Sequence, residues 1–233
     1  MGTVTFDKFV LQTKFELGER TDLSSHSDLG DLYEDWINMS YLTLTTSMKI
    51  KGVEGQLYFP ELFTDDTSQS TTDGQAYINV PSDAVYIEGV WDTTNDIELE
   101  NISWAEYKER TGRADSNAET KPTEWTRRGA KTGGLYLHST PDAIYAMTIY
   151  YYKTPTVLTG SAVTEIGPEW DEAILKHAVV TGLMKLKRYE EAAIEYKGWI
   201  QLMYGLMGMY DRERRDREEQ LRIHVRDRSR SKF

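Results

Sequence analysis

Residues 144–186, Ile144-Tyr-Ala-Met-Thr-Ile-Tyr-Tyr-Tyr-Lys153 followed by Thr154-Pro-Thr-Val-Leu-Thr-Gly-Ser-Ala-Val-Thr-Glu-Ile-Gly167 and Pro168-Glu-Trp-Asp-Glu-Ala-Ile-Leu-Lys-His-Ala-Val-Val-Thr-Gly-Leu-Met-Lys-Leu186, change chemistry halfway. The first run is dense in aromatic and β-branched residues, which suit a pleated, half-buried strand. The last begins with proline at a first helical turn and acids (Glu169, Asp171, Glu172) beside the positive helix end. Its apolar residues leave little polar surface, so the spacing predicts a buried helix through about Lys187.

Working outward from this junction, a further helix is expected from Glu190, with Ala193, Tyr196, Trp199, Ile200, Met203, Leu206, Met207 and Tyr210 on one stripe. It should fold back on its predecessor as an antiparallel hairpin. Gly198, Gly205 and Gly208 each cost about 1 kcal/mol there relative to alanine, and close approach of Gly198 to Gly182 would offset one of them; tolerated defects or a hinge are the alternative. Towards the N-terminus, Thr5 caps a helix with Phe6, Phe9, Val10 and Leu17 on one face and Gly18 as its stop. Ser27 opens another, with Leu29, Leu32, Tyr33, Trp36, Ile37, Ser40, Tyr41 and Leu44 in register.

Between Val53 and Thr156 short Val/Ile/Tyr/Trp runs alternate with Gly, Pro, Asp and Asn. Strands are expected near Gln56–Phe59, Ala76–Val80, Ala84–Trp91, Ile97–Ile102, Leu135–His138 and Ile144–Lys153, with the polar Thr64–Asp73 and Thr111–Thr123 as long loops. Ser103-x-x-Glu106 has capping-box form and predicts a short helix through about Arg110. The fold class expected is α+β: a helical bundle from residues 1–50 and 163–211, an inserted antiparallel β domain over 51–162, and an arginine-rich arm at 212–233.

Charge is divided along the chain. Formal net charge is −11, yet Asp211–Phe233 carries eight arginines and one lysine against six acids, which leaves −14 for residues 1–210. An acidic body argues against gripping nucleic acid, because phosphate binding needs clustered cations. In the arm, signs alternate over Arg212–Glu219 as in a solvated or salt-bridged helix, whereas Leu221, Ile223 and Val225 alternate with polar residues as a strand does. Arginine's planar fork suits docking on carboxylates. Candidate docking residues are therefore Arg212, Arg214, Arg215, Arg217, Leu221, Arg222, Ile223, Val225, Arg226 and Arg228; a frayed tail is the alternative.

Signatures of catalysis are missing. Zero cysteines exclude disulfides and thiolate metal sites. His26, His138, His177 and His224 are too scattered for a metal-ligand spacing, and His177 fits a hydrogen-bonded core residue. No Gly-x-Ser-x-Gly or Gly-x-Gly-x-x-Gly occurs, and Lys131-Thr-Gly-Gly134 reads as a hairpin turn rather than a phosphate loop. Asp65, Asp66 and Asp73 offer oxygen ligands for a hard cation or a solvated loop, and the separation of any paired carboxylates is invisible in sequence. No cofactor is expected. No apolar run approaches the roughly 20 residues a membrane span needs, and no leader pattern opens the chain. Tyr145, Tyr150, Tyr151, Tyr152, Trp91 and Trp125 could form a stacking platform for sugar or single-stranded nucleic acid, or simply pack in a core.

Pro122-Thr-Glu-Trp125, Gly134-Leu-Tyr-Leu137, Pro141-Asp-Ala-Ile-Tyr145, Ile149-Tyr-Tyr-Tyr-Lys-Thr-Pro-Thr-Val-Leu158 and Pro168-Glu-Trp170 occur in that order. With Leu17-Gly18, Trp36-Ile-Asn-Met-Ser-Tyr41, Lys187-Arg-Tyr189 and Ala192-Ala193, they make a pattern that resembles the adaptor, or head-tail connector, proteins of tailed bacteriophages, including the tail tubular protein A type. The resemblance implies a structural virion protein without catalysis. It would form a ring, usually of twelve copies, under the portal, join it to a tail or nozzle protein, and let double-stranded DNA pass without specific binding. The arm's docking on portal or a neighbouring subunit is an inference from its charge, since adaptor C-termini vary. A carbohydrate-binding or other tail-associated module using the β-domain aromatics is the rival expectation, and DNA binding through the arm is a third.

Overall fold

The computed structural model describes residues 3–24, 31–46, 59–112, 119–128 and 134–208. These divide into two units, the described residues up to 46 together with 156–208, and the described residues between 59 and 155. The chain is mixed α+β, with six α-helices and a seven-stranded sheet among the described residues.

In the helical unit, α1 (Phe6–Leu17) buries Phe6, Phe9, Val10 and Leu17 on one face, as the three- and four-residue spacing dictates. Gly18 adopts φ 89° and closes the helix through bonds from the following turn to Lys14 and Phe15, a conformation that favours glycine. Thr5 holds the N-cap position, but its side chain makes no cap bond. Instead Phe6 N–H donates to the Ala162 carbonyl at 2.8 Å and Asp7 N–H to Gly160 at 3.1 Å. Asn38 binds Leu158 from both ends of its amide, at 3.1 and 2.8 Å. These bonds tie residues 156–162 to the helices, whereas the sequence reading groups them with the strands.

A one-turn helix, α2 (Thr21–Ser24), follows the Gly18 stop. α3 (Leu32–Thr46) buries Tyr33, Trp36, Ile37, Ser40, Tyr41 and Leu44; Ser27 and Leu29, expected to start it, lie outside the described residues. After a 3-10 turn at Pro168–Trp170, α5 (Asp171–Lys185) packs on α1 and α3. Its start is anchored by Asp171, 5% exposed, which accepts from Thr3 N–H, Val4 N–H and Thr164 Oγ1 at 3.0, 3.1 and 3.0 Å.

The last helix, α6 (residues 189–208), runs antiparallel to α5. Its buried stripe contains Ala192, Trp199, Met203 and Leu206, while Ala193, expected on it, is exposed. The register is also corrected. A Cβ on Gly182 would meet Leu17 Cδ1 at 2.5 Å and the Trp36 ring at 2.9 Å, whereas one on Gly198 would meet nothing within 4 Å. Gly182 thus lets α5 approach α1 and α3, and Gly198 faces outward.

The second unit carries the sheet, in the order β1-β7-β3-β4-β5-β6-β2. The strands are β1 (Phe63–Ser70), β2 (Tyr77–Ile78), β3 (Ala84–Asp92), β4 (Ile97–Asn101), β5 (Glu124–Arg127), β6 (Leu135–His138) and β7 (Ala146–Lys153). Two corrections follow. The polar stretch from Thr64 is no loop as far as Ser70: it pairs antiparallel with β7, Phe63 opposite Tyr152 and Asp65 opposite Tyr150. Nor is the sheet wholly antiparallel, because β4 and β5 run parallel, Asn101 opposite Trp125. A parallel neighbour needs a long crossover, and α4 (Trp104–Thr111) supplies part of it. The Ser103–Glu106 capping box that starts α4 is complete in both directions.

β4 pairs with β3 through Ile97–Leu99 and with β5 through Glu100 and Asn101, so it joins the two halves of the sheet. Side chains from both halves, among them Ile87, Val90, Met147 and Ile149 with Trp125, Leu135 and Leu137, share one core. The expected strand at Gln56 and the Lys131 turn lie outside the described residues; Phe59 leads into a 3-10 turn at Pro60–Leu62.

Candidate interaction surfaces

The docking residues read from the arm, Arg212 through Arg228, lie outside the described residues, as do His26 and His224. Among the described residues no group of three or more His, Cys, Asp or Glu side chains could hold a metal ion, and no helix is long and apolar enough to cross a membrane. Asp66 turns its carboxylate on its own strand, accepting from Ser68 N–H at 2.9 Å and Gln69 Nε2 at 2.8 Å. His177, expected as a hydrogen-bonded core residue, is half-buried at the edge of the core and does make a side-chain contact. Its Nδ1 lies 2.9 Å from buried Ser40 Oγ, its ring sits 4.8 Å from that of Trp199, and burial lowers its pKa.

Strand alternation divides the aromatic residues that sequence groups together. Tyr151 and Trp125 point into the sheet's core, at 7% and 2% exposure. Tyr150 and Tyr152 fall on the opposite face of β7, where Phe63 of β1 stacks on Tyr150 at 6.2 Å and lies 5.3 Å from Tyr152. Tyr86 continues the row, 6.3 Å from Tyr152. Phe63 and Tyr150 stay accessible. Phe63 was missed in sequence because its strand is polar on both sides.

A second cluster forms around Trp104, the first residue of α4. Its ring stacks on Tyr107 at 5.2 Å and meets Tyr136 edge-on at 5.3 Å. Arg128 Cζ and Lys108 Nζ lie 5.3 and 5.8 Å from its centroid. Beside it opens a groove of about 270 Å³ lined by Tyr86, Asn101, Ser103, Trp104, Trp125 and Arg127 among others. Arg127 Nε and Nη2 and the Trp125 indole N–H are buried without a hydrogen-bond partner among the described residues. Glu124, next on the strand, pairs with Arg110 through Oε1, and its Oε2 lies 3.0 Å from His138 Nδ1. Sequence gave no sign of this cluster, since its members come from four separated segments.

The helical unit leaves apolar side chains in solvent. On α1 they are Leu11 (63% exposed) and Phe15 (74%), and on α6 Ile194 and Tyr204. Gly198, Gly205 and Gly208 on α6 have open space where a side chain would stand.

Against known proteins, the model of a family described as SU10 adaptor protein matches residues 8–227, most of both units. The narrower tail tubular protein A type is not what it names. No curated protein matches the chain.

Proposed function

The chain belongs to the SU10 adaptor protein family, and from that premise we propose that it is a non-enzymatic structural part of a phage virion, a ring-forming adaptor between portal and tail. The observation that carries this reading is the length of the family match, which runs from α1 through α6 and into the arginine-rich segment. In the ring, of about twelve copies as such adaptors usually form, the helical units pack side by side as a bundle. The sheet unit meets the tail-side protein through accessible aromatics such as Phe63 and Tyr150. The arm, with Arg214, Arg215, Arg222 and Arg226, docks on portal or a neighbouring subunit through charge-assisted bonds to carboxylates. Double-stranded DNA passes a body whose net negative charge offers phosphates few ion pairs.

Deleting residues 212–233 tests the arm. The truncated protein should give an unchanged thermal unfolding curve and fail to co-sediment with portal. Normal assembly of the truncated protein sinks the assignment. The Phe63–Tyr150 patch also favours a second reading, a carbohydrate-binding tail module, because exposed flat rings suit sugar stacking. Glycan-array binding by the chain, lost in Tyr150→Ala, would choose that reading.

A further inference from the structure

We propose that the free edge of β1 takes the arm of a second copy of this chain as an added strand, with residues 221–226 of the arm lying beside Phe63–Asp66. Resting on the docking role given to the arm above, this pairing selects a neighbouring subunit as the partner.

Strand order leaves β1 with a single neighbour, β7, and among the described residues no main-chain bond reaches its other side. Such an edge presents unpaired N–H and C=O groups on which another chain can add. Side chains are exposed or half-exposed along the whole of β1, so the edge can be reached. A register shift between Asp66 and Gln69 confines its regular part to Phe63–Asp66. There the two faces differ. Phe63 and Asp65 share a face with Tyr152 and Tyr150, their partners on β7. Asp65 is exposed and makes no hydrogen bond or ion pair among the described residues. Thr64 and Asp66 take the opposite face, and the Asp66 carboxylate is already satisfied by Ser68 and Gln69. An open carboxylate beside aromatic rings suits a guanidinium, which can pair with the acid and lie over a ring.

The sequence supplies an occupant with the matching pattern. Leu221, Ile223 and Val225 alternate with Arg222, His224 and Arg226, the period of a strand. Laid along β1, the segment puts Arg222 and Arg226 on the side of Phe63 and Asp65 and its apolar residues on the side of Thr64. A slip of one residue would exchange the faces and set leucine and isoleucine beside the open carboxylate, so the pairing specifies its own register. Opposite net charge, positive in the arm and negative in the rest of the chain, favours the encounter. Arm and β1 are different surfaces of one chain, so the contact between copies is head-to-tail, the kind that can close into a ring. A strand added at this edge covers Phe63 from the side and leaves Tyr150, one strand further in, open.

The chain has no cysteine, so single engineered thiols report contacts directly. Full-length Thr64→Cys is co-expressed with Leu221→Cys, Ile223→Cys or Val225→Cys, oxidised mildly, and the disulfide-linked pairs are identified by mass spectrometry. Expected is a link between different copies from at least one of these arm positions, at least about threefold more abundant than from His224→Cys, which the pairing places on the opposite face. Asp65→Lys in the Thr64→Cys chain should lower the linked fraction at least about threefold, and Arg222→Asp with Arg226→Asp in the other chain should restore it. Sedimentation of the same samples keeps the two readings apart: oligomers without a Thr64 link overturn the strand pairing and leave the adaptor reading standing. No link in any sample, a link that forms within a doubly substituted Thr64→Cys, Ile223→Cys chain but not between singly substituted ones, equal linking from His224→Cys, or indifference to Asp65→Lys would each overturn the proposal.

Discussion

Trp199 donates its indole N–H to the main-chain carbonyl of Ala173 at 2.9 Å, across the α5–α6 hairpin. The bond sets the register of the two helices, because it puts Trp199 level with Ala173 and His177. Trp199 is 1% exposed, so the donor has no water to turn to. Trp199→Phe keeps most of the buried area but loses the bond, and should lower stability by about 1–2 kcal/mol. Trp199→Ala also opens a cavity and should cost about 3–5 kcal/mol. Urea unfolding followed by far-UV circular dichroism measures both; equal losses in the two variants would mean that the hydrogen bond, not packing, dominates.

Glycines in the same hairpin should respond with opposite sign. At Gly182 an added methyl collides with Leu17 and Trp36 at 2.5 and 2.9 Å, so Gly182→Ala should destabilise by about 1–3 kcal/mol. At Gly198 and Gly205 the space is open, and alanine should gain up to about 1 kcal/mol each from helix propensity. Thermal melts of the three single variants decide it. A stabilised Gly182→Ala would show that α5 can move off α1 and α3 freely.

These contrasts also mark what the sequence could and could not tell. Elements with a strong local signal were legible: Gly18 as a left-handed stop, the Ser103–Glu106 box, the strand Leu135–His138, and the helices with three- and four-residue apolar spacing. β1 escaped because an edge strand with polar residues on both faces has no alternation to read. β5 has only four residues, and its parallel pairing depends on a crossover that no local pattern encodes. The Gly182 contact was assigned to the wrong helix for a related reason, since a glycine shows that something approaches but not what. The groove at Arg127 is a tertiary product throughout.

His177 should give stability a pH dependence of known sign. Burial lowers its pKa from 6.5, so the folded protein binds fewer protons than the unfolded chain as pH falls below that value. Stability contributed by neutral His177 is therefore complete above about pH 6.5 and declines as pH drops towards the folded-state pKa. His177→Gln can still hydrogen-bond Ser40 but cannot titrate. The stability difference between wild type and His177→Gln, measured by urea unfolding from pH 7.5 down to 5, should shift against the wild type as pH falls. A difference that stays constant would show that the ring protonates equally in both states.

Leu11 and Phe15 stand one turn apart on the solvent side of α1, 63% and 74% exposed, while Ile194 and Tyr204 are exposed on α6. One helical unit thus offers apolar contacts on two different helices, as a head-to-tail ring interface requires, since such a contact joins different surfaces of neighbouring copies. If α1 of one subunit meets α6 of the next, Leu11→Ser with Phe15→Ser should leave the subunit's own stability within about 0.5 kcal/mol. Each apolar side chain buried in the ring contributes about 1.5–3 kcal/mol, so the double variant should weaken each subunit contact at least about 100-fold. Urea midpoints report the first quantity and sedimentation velocity over a concentration series the second. Unchanged assembly with unchanged stability would remove α1 from the ring contact; a loss of stability would show that these side chains are held within the subunit after all.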